Sequence, residues 1–284
     1  MNESTRQTIE TPSGKDAAGE NFPVGSFLLP AALRPHVAAF YAFARAADDI
    51  ADNPAPAADD KIARLTRMAE AVEGAHGDDS ALALAHRMRE SLADTGVPAR
   101  HCLDLLDAFR QDAVKQRYEN WDDLMDYCLR SAAPVGRYLM DLHGEDRALR
   151  PAADALCNAL QVLNHLQDCG EDFREMDRVY IPEPWLAAEG LNVESLSAAA
   201  SPPGLRRVLD RLLDGTDELL NTAAPLAGRM KSRRLAMETA AIQAIARKLA
   251  AELRRRDPLA ERVKLGRIGY VVCMLEGIWK GIVR

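Results

Sequence analysis

Tyr41, Arg45, Asp48 and Asp52 fall at offsets 0, 4, 7 and 11, and Gln161, Asn164, Asp168 and Asp172 at offsets 0, 3, 7 and 11, so each set lines one face of an α-helix. The first set lies in a nearly uncharged run: between Val37 and Ala47 the only charge is Arg45. A helix that is apolar almost all round belongs in an interior. Carboxylates there need partners, because an unpaired one in a dry interior takes up a proton rather than stay charged. Acidic stripes on such helices therefore call for cations between them or for water-filled space. Asp48 and Asp168 are 120 residues apart, so the stripes can meet only if two non-consecutive long helices face each other across the centre of a bundle.

The rest of the chain fits an all-α protein. Period-2 alternation of β-branched residues is absent, and turn signals leave long helical segments near 31–52, 58–73, 79–95, 98–117, 120–143, 148–176, 202–225, 228–255 and 257–283. Pro134 and Gly136 fall inside the fifth segment, which predicts a kink. The polar stretch 1–20 reads as a disordered lead-in, and no linker divides 21–284, which is expected to be a single domain.

Charge and cysteine usage exclude several classes. The net charge of −7 conceals a basic end, with 14 Lys and Arg against 5 Asp and Glu after Gly228. Those charges either face an anion, pair with the acidic helices or sit in water. Nucleic acid is not an expected partner, since the chain is acidic and its basic residues lack interleaved aromatics. Five scattered cysteines with no C-x-x-C pair argue for reduced thiols and a cytoplasmic setting. No run is long enough to span a membrane; Ile268 to Val283 is interrupted by Glu276 and Lys280. That helix, with Lys264 and Arg267 before it, packs in the core or rests peripherally on an anionic bilayer at the inner membrane face. H-E-x-x-H, G-x-S-x-G, Walker A and G-x-G-x-x-G motifs are all missing.

Magnesium takes oxygen ligands, keeps several waters and is commonly held by one or two carboxylates with substrate phosphates. Asp48, Asp52, Asp168 and Asp172, with Asn164, are ligands of that type. Shared Mg²⁺ ions would turn repulsion between the stripes and a diphosphate into a bridge. Arg45 in the first stripe, and Lys264 or Arg267 near the end, could contact the diphosphate and stabilise charge as it leaves. A non-catalytic bundle with the stripes as an ion-pair seam is the competing class; it predicts compensating Lys or Arg on facing helices.

Asp-Asp-Ile-Ala-Asp at 48–52 after Phe-Ala-Arg, and Asp-Cys-Gly-Glu-Asp at 168–172 after Gln-x-x-Asn, resemble the two aspartate-rich motifs of the squalene and phytoene synthase family. Arg178-Val-Tyr180-Ile-Pro182 is similar to that family's R-x-Y-x-P segment, and Tyr127-Cys128 with Gly136 to its kinked central helix. The resemblance covers residues 21 to 284. It implies an isoprenoid-synthase helical bundle with a central cavity, and Mg²⁺-dependent loss of diphosphate from a prenyl substrate. It also implies roles: Asp48, Asp52, Asn164, Asp168 and Asp172 holding Mg²⁺, and Arg45 and Arg178 steadying the diphosphate. Tyr41, Tyr127 and Tyr180 would position the leaving group or stabilise a cation, or else be packed core residues.

Most family members enter with a Ser-Phe pair and carry an arginine before the second motif; this chain has Asn21-Phe22 and Gln167. Residues 20–24 and 164–168 instead resemble the family's bacterial hydroxysqualene synthases of hopanoid biosynthesis. That branch implies presqualene diphosphate as substrate, with Asn21 and Phe22 among its contacts. Ionisation, cation rearrangement and capture of water would follow, with no NADPH. Gln161 and Asn164 are both candidates to orient the water. The alternative within the family is a squalene, phytoene or dehydrosqualene synthase that condenses two prenyl diphosphates.

Overall fold

The computed structural model describes residues 29–77 and 79–282, and every regular element among them is helical. Asn21, Phe22 and the lead-in lie outside the described residues. The chain groups into two compact units, one ending at Val114 and the other beginning at Lys115.

In the first unit, α1 (Arg34–Asp52) packs on α2 (Ala58–Val72), α3 (Ala83–Thr95) and α4 (Arg100–Asp112). Pro35 sits in the first turn of α1, where its missing N–H costs nothing. The helix ends where Asn53, held extended at ψ 118°, precedes Pro54. Phe40, Phe43, Ala47 and Ile50 form the face that α1 buries. Lys61 Nζ donates to the Ala51 carbonyl at 2.8 Å, satisfying one of the orphan acceptors at the helix end.

In the second unit, α5 (Trp121–Ser131) and α6 (Ala133–Leu142) lead to the long α7 (Arg150–Met176). There follow α8 (Glu183–Ala188), α9 (Pro203–Ala223), α10 (Leu226–Arg229), α11 (Arg233–Arg255) and α12 (Arg267–Ile282). Helix α7 is central, in contact with α5, α6, α9 and α11. Its apolar set of Leu156, Ala159, Val162, Leu163 and Leu166 is buried.

Several boundaries differ from the sequence reading, and α4, expected to run to 117, ends at Asp112. The expected kink is a break at Ala132 (φ −120°, ψ −47°), two residues before Pro134, which then occupies the first turn of α6. Gly136 lets α6 lie close on α7, since an added Cβ would stand 2.7 Å from Cys157 Sγ. The segment expected from 228 divides into α10 and α11. The last helix begins only at Arg267: the Asp257 carboxylate accepts from Ser201 N and Oγ, both at 2.6 Å, and from Leu259 N at 3.0 Å, so residues 257–266 form a tethered loop. Part of the basic end pairs with acids: Arg254 with Asp214 and Asp217, Arg256 with Glu252 and Glu261.

Glu238 on α11 is buried, its Oε2 has no hydrogen-bond partner, and burial pushes its carboxyl up to about 7. The folded chain therefore retains a proton there at pH values where the unfolded chain has lost it. Stability attributable to this site falls as pH rises from about 4.5 through 7 and is level above that. Glu238→Gln should flatten this dependence and raise the melting midpoint relative to wild type most at pH 8. Parallel midpoint curves for the two proteins between pH 5 and 8 would contradict this.

Candidate active site

Tyr41, Arg45, Asp48 and Asp52 are all half-buried along α1, beside its core face. Arg45 Nη1 donates to Asp48 Oδ2 at 2.8 Å and Nη2 to Asp49 Oδ1 at 3.2 Å. The Asp48 side chain is 30% exposed, so water reaches it. Its carboxyl is nevertheless pushed up to about 8, first by burial and then by Asp52; Arg45 opposes, while Asp112 and Asp49 add to the rise. Asp49, Asp52 and Asp112 thus all act on Asp48, against one guanidinium.

Asp112 was not among the residues expected at the site. It is buried at the end of α4, and the signal for it was available: it stands seven residues after Leu105 and three after Phe109, on the apolar face of that helix.

Gln161, Asn164, Asp168 and Asp172 are likewise half-buried along α7. Cys169, among them, has its thiol pushed up to about 12 by burial, then by Asp172, Asp257 and Asp168, so this stripe too is a region of concentrated negative charge. Gln167, noted for replacing an arginine, is buried, and its Nε2 donates to the Val263 carbonyl at 2.6 Å.

The R-x-Y-x-P segment returns to the same helix. Helix α7 ends where Asp177 takes a left-handed conformation (φ 51°), and the Arg178 N–H then bonds the Asp172 carbonyl at 3.2 Å. Arg117 donates to both the carbonyl and the carboxylate of Asp177, holding the turn. Buried Arg178 reaches the Tyr180 hydroxyl at 3.5 Å, and the Tyr180 and Tyr127 hydroxyls meet at 3.4 Å. Tyr118 stacks near Tyr180 with centroids 5.5 Å apart. His165 lies flat on Tyr180, with centroids 3.5 Å apart and planes within 1°. Burial and then Arg178 push the imidazole down to about 3, so it is neutral at ordinary pH. Neither Tyr118 nor His165 was assigned a role from sequence; their association depends on the turn at Asp177, which no local pattern announces.

The structure therefore gathers Gln161, Arg178, Tyr127 and Tyr180 around His165, and Arg45 with Asp48 and its neighbouring acids. Lys264 and Arg267 are exposed, one in the loop before α12 and the other in its first turn.

Helices α1 and α7 each carry a half-buried row of oxygen-bearing side chains, and the all-helical fold is that of the isoprenoid synthases. A dehydrosqualene synthase crystal structure has the same fold, with a TM-score of 0.80 at 22% identity, covering 94% of this chain and 93% of that one. Residues 15–268 match squalene/phytoene synthase, and the chain belongs to that family. The hydroxysqualene synthase of Rhodopseudomonas palustris is 44% identical over 97% of this chain and 93% of that protein. The one from Sinorhizobium fredii is 46% identical over 87% and 83%. The squalene synthase HpnC of Alicyclobacillus acidocaldarius has a TM-score of 0.74 at 31% identity, covering 84% of this chain and 90% of that one.

Proposed function

We propose that this enzyme converts presqualene diphosphate into hydroxysqualene and diphosphate. As a family member it processes prenyl diphosphates, and its likeness along nearly its whole length to two hydroxysqualene synthases carries the choice of reaction. The family match runs through the junction at Val114, which supports treating residues 21–284 as one working domain.

The residues fit Mg²⁺. A carboxyl that burial, and then neighbouring carboxylates, push up to about 8 is a place where a cation is favoured. Asp48 and Asp52 on α1, with Asn164, Asp168 and Asp172 on α7, would hold the ions. Among the described residues no three His, Cys, Asp or Glu side chains converge as a ready metal cluster. Such an ion would complete its shell with water and substrate oxygens, as magnesium commonly does. When bound, Mg²⁺ neutralises charge developing on the departing diphosphate. Arg45 and Arg178 would add charge-assisted hydrogen bonds to it. Tyr41 offers a half-buried ring to the leaving group or cation, while Tyr127 and Tyr180, bonded to each other, would hold Arg178 and His165 in place. Lys264 and Arg267 would meet the diphosphate only as exposed, screened charges. Water ends the reaction, and no nicotinamide cofactor is required.

Purified protein with Mg²⁺ and presqualene diphosphate, without NADPH, should yield hydroxysqualene by mass spectrometry. Unchanged substrate would refute the reading. Squalene, dehydrosqualene or presqualene diphosphate formed from farnesyl diphosphate would move the enzyme to the condensing branch.

A peripheral membrane contact through α12 is part of the proposal. No helix among the described residues is long and apolar enough to cross a membrane. Cys273 and Gly277 are buried, and a Cβ at Gly277 would overlap the Ala241 backbone of α11. Ile268, Val271, Val272, Leu275 and Trp279 are each at least 50% exposed and share one helical face, more apolar surface than a solvated helix ordinarily shows. Exposed Arg262, Lys264 and Arg267 lie just before it, the composition of a surface helix on anionic lipid. Vesicles containing phosphatidylglycerol should float the protein at low salt, and Leu275→Glu should weaken that binding about tenfold. No flotation of the wild type would remove the membrane contact.

A further inference from the structure

His165 is not among the residues that would hold ions, yet it is a closely packed polar side chain beside the second stripe. It is 8% exposed. Its ring lies flat on Tyr180 and 6.0 Å from the ring of Tyr127, which leaves it no room to turn. The Gln161 amide nitrogen is 3.1 Å from its Nε2. An amide nitrogen only donates, so Nε2 accepts and the ring proton sits on Nδ1. Nδ1 itself is buried without a hydrogen-bond partner, a state native interiors rarely leave unexplained.

The consequence falls on Gln161. With its nitrogen engaged by the imidazole, the oxygen of the planar amide is turned away from His165. Gln161 is half-buried on the face it shares with Asn164, Asp168 and Asp172, so water can reach that side chain. A Gln161 without its tether could present either end of the amide; placed with its nitrogen toward Nε2, it turns its oxygen the other way.

We propose that His165 is a positioning residue that fixes Gln161 so that its amide oxygen holds the water that quenches the product cation, and thereby selects an alcohol over a hydrocarbon. This rests on the reading that the enzyme makes hydroxysqualene. The Gln161 oxygen accepts a hydrogen bond from the water and leaves a water lone pair free for carbon. That lone pair forms the C–O bond, giving a protonated alcohol. The excess proton passes to the diphosphate released in the same turnover, so nothing is oxidised or reduced. Where no water is held, the cation instead loses a proton from a neighbouring carbon and ends as a hydrocarbon.

The test is the ratio of alcohol to hydrocarbon formed from presqualene diphosphate by the full chain with Mg²⁺, measured by mass spectrometry in ¹⁸O-water. His165→Phe keeps a flat ring over Tyr180 and removes the acceptor; the ratio should fall at least about tenfold, whatever happens to total turnover. Gln161→Leu, at a half-buried position, should lower it similarly, and His165→Asn, which retains an acceptor, should restore part of it. A merely structural histidine would lower turnover and leave the ratio unchanged. An unchanged ratio in His165→Phe or in Gln161→Leu overturns the proposal while leaving the reaction intact. A wild-type chain that makes no alcohol overturns the reaction and this proposal together.

Discussion

Asp48→Asn should abolish turnover while making the metal-free protein more stable. The activity loss is expected at about 10³-fold or more, ~4 kcal/mol of transition-state stabilisation, because asparagine is nearly isosteric but brings no charge to a hard cation that neutralises a leaving diphosphate. The stability gain follows from crowding. In the folded chain, burial and the Asp52 charge push the Asp48 carboxyl up from 3.8 to about 8. A raised acid in the native state binds a proton that the unfolded state has released, so stability falls as pH rises from about 4 to 8 and is level beyond. Each unit of pKa difference corresponds to ~1.4 kcal/mol, so relief of even part of this strain is measurable. The variant's advantage in denaturation midpoint should grow from pH 5 to pH 8. Saturating Mg²⁺ should then stabilise the wild type and do little for the variant, since a ligand stabilises only the state that binds it. Wild-type turnover in Asp48→Asn would remove this carboxylate from the chemistry; equal midpoints at pH 8 without metal would show that the crowding is not felt.

That opposition between stability and function explains why one half of the site could be read from the chain. Acids spaced at 0, 4, 7 and 11 in an otherwise apolar helix conflict with local preference for burial, and the conflict is visible without coordinates. Asp112 obeys the same logic, but the acids that α4 buries are just Asp104 and Asp112, eight residues apart, too sparse to form a stripe like that on α1. Its relevance appears only when α4 lies against α1. His165 is a harder case. One ring sits on another because the chain reverses at Asp177, in a left-handed conformation that aspartate adopts rarely and that Arg117, sixty residues earlier, holds from outside. Helix ends divide along the same line. Asn53-Pro54 and Pro202-Pro203 stop or start helices by covalent geometry and could be placed closely. The loop after Arg255 exists because Asp257 binds Ser201, a contact 56 residues distant, and a helical pattern across 257–266 gave no warning of it.

The same distinction governs the departures that select a branch of the family. A residue that differs from its relatives can mark a lost contact or a new one, and sequence alone does not separate the two. His165 and Gln167 are neighbours in the stretch that resembles hydroxysqualene synthases, and both hold other groups in place: one fixes Gln161, the other ties α7 to the loop before α12. The second stripe is therefore supported from two sides by residues with no ionic role. Changes there should alter the geometry of the stripe before they alter its charge.

Gln167→Arg should cost the protein much of its stability without giving it the ability to join two farnesyl diphosphates. Restoring the family's arginine would return a phosphate contact if the glutamine were only a vacancy. Gln167 is instead 5% exposed, with its amide nitrogen 2.6 Å from the Val263 carbonyl. A guanidinium forced into that space is a charge taken out of water, and an uncompensated buried charge costs ~3–5 kcal/mol. For a chain of this size that corresponds to a melting midpoint lower by roughly 5–8 °C. Gln167→Met isolates the hydrogen bond: it adds no charge, keeps a similar volume, and should cost only the ~1–3 kcal/mol of leaving the Val263 carbonyl unsatisfied. The order wild type, Met, Arg in midpoint is therefore the expected result, with presqualene diphosphate turnover falling in the same order as the loop at 257–266 loosens from α7. An arginine variant as stable as wild type that forms presqualene diphosphate from farnesyl diphosphate would reverse the argument. Position 167 would then be a vacated phosphate site, and the glutamine's bond to Val263 incidental to the choice of reaction.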